Sequence, residues 1–324
     1  MHVCLKTAAV MMVLFSVVAG TCAMAQTYPS RPIRMIVPYP PGGSTDPTGR
    51  ALAQWLSEKF GQTVVVDNRG GAGSTIGHAL GAQANPDGYT LLLGTSGGLV
   101  VGPAYGTKVA YDPVKDFAPI GLAVDVPFVL AIHPAVPAKS VKEFIAMGKA
   151  QPGKINFGSP GAGTPNHLGM ELLNALAGTR FVHVPYKGGG LALLDLMSGR
   201  IEALFGGIPY VAPALQSGKA RVIATGHLTR VRSMPDVPAI AEMLPGFTNT
   251  TWYGLLAPAG TPQPIINKIN AEMKVALANA EFRKNLEALG LEPISSTPAE
   301  LGNRIKTELA RWTKVIKDAG VGEK

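Results

Sequence analysis

The feature that most constrains the fold is a unit that recurs along the chain: a short β-branched or apolar run, a glycine-bearing turn and a stretch with helical spacing. Its six copies fall into two sets of three, which begin at Ile33, Thr63 and Tyr89 and at Lys154, Arg180 and Arg200. Strands that alternate with helices predict parallel sheets covered by helices on both faces. We therefore expect an α/β fold with two doubly wound lobes.

The rest of the chain predicts how the lobes connect. The long apolar run at residues 116–134 suits an extended connection between them. Three helices are predicted at the C-terminal end, over residues 264–277, 281–289 and 298–318. In the last of them one apolar stripe contains Leu301, Ile305, Leu309, Trp312 and Ile316. Such a tail packs most simply on the first lobe, so we predict one lobe from residues 26–123 and 229–324, a second from 124–228, and a ligand cleft between them.

The first 25 residues have the pattern of a secretory signal peptide. Lys6 precedes an apolar run over residues 7–20, and the A-M-A sequence at 23–25 is a cleavage signature. We expect a cleaved leader and a protein exported to the periplasm. Cys22 offers the alternative of a lipidated N-terminus, to which the threonine before it is a poor fit.

Composition argues against several classes of partner. Both cysteines, Cys4 and Cys22, lie in the predicted leader, and the histidines lack metal-ligand spacing, so we expect no metal and no cofactor. The net charge of +8 falls to +7 when Lys6 leaves with the leader. The remaining basic residues are scattered singly without interleaved aromatics, so we expect no nucleic-acid partner.

Two glycine turns share a pattern that suits an anion. In GGSTDP we expect Asp46 to cap the next helix, with Pro47 as its first residue, and GAGTPNHL repeats this pattern with Thr164 as the cap. Helix starts offer free N–H groups and a partial positive charge, which attract carboxylate or phosphate without a basic side chain. Taken singly, each turn is more typical of a well-capped helix. The matched pair, one turn in each predicted lobe, indicates a site.

An enzymatic alternative rests on Ser96. The sequence GTSGG after a strand fits the G-x-S-x-G nucleophile motif of a secreted serine hydrolase. That chemistry needs an acid and a downstream histidine, and His227 has no clear acid partner in the sequence. We interpret Ser96 as a ligand hydroxyl or a turn residue and expect no catalytic residue.

Other ligand classes fit less well. The phosphate-loop spacing at residues 148–154 lacks the required Ser or Thr and precedes a strand, and no turn completes G-x-G-x-x-G. A carbohydrate or cation receptor remains a further alternative. Sugar clefts usually offer aromatic stacking faces, and aromatic residues form only 6% of this chain.

Six segments, taken in order through nearly all of the predicted mature chain, carry a family resemblance. They are YPSRPIRMIVPYPPGGSTD, VVVDNRGGAGSTIG, NPDGYTLLLGT, INFGSPGAGTPNHL, VHVPYKGGGLALLDLMSGRIEALF and WYGLLAPAGTP. The chain resembles the Bug-type receptors, periplasmic solute-binding proteins associated with tripartite tricarboxylate transporters. The resemblance implies a Venus-flytrap fold of the periplasmic binding protein type and capture of a small carboxylate solute (an organic, aromatic or amino acid) without catalysis. We expect a monomer whose partners are that solute and membrane transporter subunits or a sensor.

The resemblance also implies which residues bind. In such receptors, backbone amides, hydroxyls and water from two facing turns hold a ligand carboxylate. In the first lobe these residues are Tyr39, Gly42, Gly43, Ser44, Thr45 and Ser96. In the second they are Ser159, Gly161, Gly163, Thr164, His167, Tyr186 and Lys187. Many relatives have an acidic or amide residue where this chain has Gly206 and Gly207, so we expect a roomier or less polar pocket there.

Overall fold

The computed structural model describes residues 28–319, so the predicted leader at residues 1–25 lies outside the described residues. The residues from Arg31 onward form one compact unit. Over the described residues, no helix combines the length and the apolar character that crossing a membrane requires.

The first set of predicted units forms three parallel strands in the order β2-β1-β3. These strands are β1 (Ile33–Val37), β2 (Val64–Asn68) and β3 (Thr90–Thr95). The helices that follow them are α1 (Thr45–Phe60), α2 (Thr75–Ala82) and the short α3 (Gly102–Tyr105). Apolar residues of β1 and β3 are almost fully buried, as expected for parallel strands covered on both faces.

The apolar run after the first set is one strand of 16 residues, β4 (Phe117–Ile132), and α4 (Val141–Ala150) follows it. The second set of units then forms another parallel group. Its strands are β5 (Asn156–Ser159), β6 (Val182–Pro185) and β7 (Ala203–Gly207). Its helices are α5 (Pro165–Ala177), α6 (Gly189–Met197) and α7 (Ile208–Gln216). All six predicted strand–turn–helix units are therefore confirmed.

The remainder of the chain adds three strands and three helices in residues 221–319. The strands are β8 (Arg221–Thr225), β9 (Thr250–Pro258) and β10 (Glu292–Pro293). The helices, α8 (Gln263–Ala278), α9 (Ala280–Ala288) and α10 (Pro298–Ala319), confirm the three predicted ones to within about one residue at each end.

Strand β4 joins the two parallel groups. Its residues from Phe117 to Pro127 pair antiparallel with β9, and those from Phe128 to Ile132 pair antiparallel with β7. The strand order is β2-β1-β3-β9-β4-β7-β5-β6, with β8 and β10 also paired to β4. Strands β4, β8, β9 and β10 lie outside the six predicted units and pair antiparallel, so the sheet is mixed. Parallel neighbours need a crossover connection, whereas β4 and β9 are long strands that run the opposite way through the middle of the sheet.

Each parallel group has its own apolar cluster. The predicted stripe of α10 is confirmed, because Leu301 and Ile305 are buried against Ile36 and Leu92 of the first group. A separate cluster holds the second group together through residues such as Val129 and Leu204. The C-terminal tail thus returns to the first group as expected, while the lobe boundaries within the chain stay predictions.

Candidate ligand-binding site

A cavity of about 680 Å³ is lined by turns that follow strands of both groups. Residues 39–45 reach it from the turn after β1, and residues 187–190 reach it from the turn after β6. Phe128, Gly207 and Tyr253 line it from strands β4, β7 and β9. It therefore lies beyond the carboxyl ends of parallel strands, where α/β proteins usually bind ligands.

The turn after β1 supplies backbone donors. The N–H groups of Ser44 and Thr45 have no hydrogen-bond acceptor within residues 28–319. Ser44 stands at the N-cap of α1, but its hydroxyl bonds the Tyr253 hydroxyl at 2.6 Å instead of capping the helix. Gly42 has φ +92°, a left-handed conformation that favours glycine. The positive end of α1 is thus left open to the cavity.

The turn from Lys187 to Gly190, which we call the KGGG turn, supplies a cation and more donors. Within residues 28–319, the N–H groups of Gly188, Gly189 and Gly190 have no acceptor, and no carboxylate lies in ion-pair range of the exposed Lys187. Lys187 is the one charged side chain among the residues that line the cavity. Helix α6 begins at Gly189, so its partial positive charge adds to that of the lysine.

Three tyrosines line the cavity as neutral groups. Burial raises the pKa of Tyr253 to about 12 and also raises the pKa values of Tyr39 and Tyr210. The Tyr210 hydroxyl donates to the carbonyl of Gly189 and so holds the KGGG turn against α7. None of these phenols carries negative charge at neutral pH, so an anion entering the cavity meets no like charge from its lining.

One wall of the cavity is apolar. Leu191, Leu194 and Met197 line it from α6, and Phe128 and Pro213 add to it from β4 and α7. The two leucines are 54% and 60% exposed, so together they form an apolar patch beside the cavity.

The structure brings part of the predicted site together. The predicted residues that line the cavity are Tyr39, Gly42, Gly43, Ser44, Thr45 and Lys187. Those that do not line it are Ser96, Ser159, Gly161, Gly163, Thr164, His167 and Tyr186. The predicted residues that do not line the cavity bond to other parts of the protein.

Residues 159–163, which we call the SPGAG turn, use their polar groups internally. The Ser159 hydroxyl donates to the carbonyl of Gly161 at 2.8 Å and lies 2.6 Å from Nε2 of His183. The N–H of Gly163 donates to Nδ1 of His167 at 3.2 Å, and the rings of His167 and His183 stack at 3.9 Å. Burial lowers the pKa of His183 to about 4, and the charge of His167 adds to this effect. The hydroxyl of Ser159 and the N–H groups of Gly161 and Gly163 are therefore bonded without a ligand.

Of the two predicted helix caps, the structure confirms Thr164 and not Asp46. Thr164 caps α5 by accepting the N–H of His167, as predicted. Asp46 is not a cap, because α1 begins at Thr45, two residues before the predicted first residue Pro47. The Asp46 carboxylate instead accepts from Asn68 and pairs with Arg50, each at 3.0 Å, and does not line the cavity.

Ser96 is built into the framework. Its hydroxyl is 2.7 Å from that of Thr251 and accepts the N–H of Trp252, and the residue is only 2% exposed. The ring of His227, its proposed partner, bonds the neighbouring Thr229. The arrangement needed to activate a serine nucleophile is not formed by these residues. Tyr186 is likewise engaged, since its hydroxyl donates to Asp195 at 2.8 Å.

The sequence analysis missed much of the lining. The residues not predicted include Pro40, Pro41, Asn166, Gly188, Gly189, Gly190, Leu191, Leu194, Met197, Tyr210, Thr251 and Tyr253. The three glycines at the start of a helix were a readable signal, because Gly188 precedes α6 and Gly189 and Gly190 begin it, much as GGST overlaps the start of α1. Tyr253 lies 209 positions from its partner Ser44 and had no local signal.

The space beside Gly206 and Gly207, the two glycines after the ALF run, is partly occupied by other side chains. A Cβ on Gly206 would lie 2.5 Å from the ring of Tyr210, so that ring takes the space expected to be free. Gly207 lines the cavity without a side chain. A Cβ there would lie 2.8 Å from Val126, so the strand leaves little space beside it.

Comparison with known proteins identifies the family. The family model described as "Tripartite tricarboxylate transporter family receptor", TctC, matches residues 48–321. The chain belongs to this family. It is 38% identical to Protein BugT of Bordetella pertussis over 95% of both chains. The hydrolase alternative for Ser96 is thereby overturned, because members of the TctC family are solute-binding receptors and not enzymes.

Solved structures of relatives show the same fold. Rpa4515 from R. palustris, solved with adipate, has a TM-score of 0.88 and 32% identity over 91% of this chain and 99% of that one. MatC from Rhodopseudomonas palustris, solved with bound malate, has a TM-score of 0.83 and 33% identity over 89% of this chain and 100% of that one. The TctC protein described here is thus a solute-binding receptor with the periplasmic binding protein fold.

Proposed function

We propose that this TctC receptor captures a small carboxylate solute in the 680 Å³ cavity, in the periplasm, and presents it to membrane transporter subunits or a sensor. The observation that carries the proposal is the unpaired Lys187 beside free N–H groups on two turns that line one cavity. The relatives solved with adipate and malate support the ligand class.

The physics favours a carboxylate over a neutral solute. Hydrogen bonds from N–H groups to a charged oxygen are about twice as strong as neutral ones. Their strength increases where water is excluded, because the local dielectric is lower. Ser44, Thr45 and residues 188–190 offer such donors, and no acidic side chain lines the cavity to oppose the anion.

Gly43 gives a sharp test. A Cβ at this position meets no atom within 4 Å and the backbone is not left-handed, so a side chain fits without strain. Gly43→Asp places a negative charge beside the donors, and Gly43→Asn adds the same volume without charge. We expect the aspartate to weaken carboxylate binding by about tenfold or more, and the asparagine by less than about threefold.

The measurement is isothermal titration calorimetry against a panel of mono- and dicarboxylates and their uncharged amides. Thermal melting of both variants checks that the fold is intact. An equal loss of carboxylate affinity in both variants would mean that the added volume, and not the charge, weakens binding. Unchanged affinity in both would remove this turn from the site.

A further inference from the structure

Helix α6 has two apolar faces, and only one of them is buried. Ala192, Leu193 and Leu196 face the core of the second strand group. Leu191 and Leu194 lie on another face and stay more than half exposed at the cavity. Adjoining exposed apolar side chains often mark a binding surface. The second face is therefore an apolar surface that nothing in residues 28–319 covers.

The polar and apolar parts of the cavity wall follow one another along this helix. The free N–H groups at residues 188–190 mark its beginning, and Leu191, Leu194 and Met197 succeed each other at intervals of three residues on one face. At 1.5 Å per residue, Met197 lies about 12 Å along the helix from Gly189. A carboxylate held at the KGGG turn would have its remaining atoms beside the two leucines.

The cavity offers one side-chain cation, so only one carboxylate can gain an ion pair there. Lys187 is its single ionised lining residue, and the hydroxyls of Tyr210 and Tyr253 are already bonded to protein partners. A second carboxylate placed against Leu194 would lose its water without gaining a cation, which is costly.

We propose that the ligand is an amphipathic acid, with one carboxylate at the KGGG turn and an apolar body along Leu191, Leu194 and Met197. This inference rests on the proposed function, since it refines the carboxylate class to acids with a sizeable hydrocarbon part. Short, highly polar di- and tricarboxylates then bind more weakly than fatty or aromatic monocarboxylates of similar size.

The test is a homologous series from butanoate to octanoate, measured by calorimetry on the purified full-length mature protein. Each buried methylene contributes about 0.8 kcal/mol, so affinity should increase about fourfold per carbon. Leu191→Asn and Leu194→Asn keep the side-chain size but add a polar group. We expect each to weaken octanoate about tenfold and butanoate less than about twofold. Leu176→Asn is the matched control, because Leu176 is an exposed leucine on α5 that does not line the cavity.

The outcomes separate this inference from the proposed function. A flat chain-length series, succinate binding more tightly than hexanoate, or leucine variants that behave like Leu176→Asn would overturn the amphipathic ligand while carboxylate capture stands. Carboxylate capture would instead be overturned if octanamide bound as tightly as octanoate and if Gly43→Asp left the affinity for octanoate unchanged. Melting curves of the leucine variants should match the wild type, because their side chains are exposed.

Discussion

The SPGAG and KGGG turns look alike in sequence and differ in what their polar groups do. Each follows a parallel strand and is followed closely by a helix. In the SPGAG turn, Ser159, Gly161 and Gly163 bond to each other or to the two stacked histidines. In the KGGG turn, three N–H groups and a lysine have no partner within residues 28–319. Unsatisfied donors, more than glycine content, distinguish a turn that is free to bind from one that supports the fold.

The largest effect on stability should come from adding a methyl group to the SPGAG turn. Gly163 has φ +69°, and a Cβ there would lie 2.8 Å from the Tyr105 ring and 3.0 Å from the Thr107 hydroxyl. We expect Gly163→Ala to lower the free energy of unfolding by about 2–4 kcal/mol, measured by denaturant titration. Gly190→Ala is the control in the KGGG turn, because its Cβ meets nothing within 4 Å, and we expect a change below about 1 kcal/mol. Similar losses in both variants would erase the distinction between the turns.

A smaller effect on stability is expected at Thr164, which follows the SPGAG turn and caps α5. Thr164→Ala removes the acceptor for the N–H of His167 and should cost about 1 kcal/mol of stability, with Thr164→Ser restoring most of it. Ser140→Ala removes an equivalent cap from α4 and serves as a control distant in sequence from both turns. Carboxylate affinity should change less than about twofold in all three variants. A selective loss of affinity in Thr164→Ala would show that the SPGAG turn contributes to binding after all.

A further expected effect is a pH dependence of stability, part of which comes from His183 beside the SPGAG turn. The folded-state pKa of His183 is lowered to about 4, mainly by burial, from an ordinary value of 6.5, and burial also lowers the pKa of His78 to about 4. The unfolded chain therefore takes up protons first as the pH falls. Stability should be complete above about pH 6.5 and decrease towards pH 4.

His183→Gln should make the decrease of stability with falling pH shallower. Of the two histidines with a lowered pKa, only His78 then contributes. Lys187→Gln is the control in the KGGG turn and should keep the wild-type profile of stability against pH. The measurement is thermal melting at half-unit intervals of pH. An unchanged slope in His183→Gln would mean that other groups dominate.

Local patterns predicted the elements well and the site only in part. Strand β1 begins at its predicted residue, Ile33, and the stripe of α10 could be predicted because helical spacing indicates one buried face. Strand direction was not readable for β4 and β9, since pairing partners lie far apart in the chain. Helix starts at GGST and KGGG were visible, but whether a polar group such as Ser159 is already satisfied depends on residues that only the fold brings near, here His183.

Strand β4 changes partners between Pro127 and Phe128, and the ring of Phe128 lines the cavity. Up to Pro127 the strand is hydrogen-bonded to β9, and from Phe128 onward to β7, so one peptide bond separates two sets of neighbours. A solute that rests on Phe128 would therefore contact the chain at the residue where its backbone passes from one group of strands to the other.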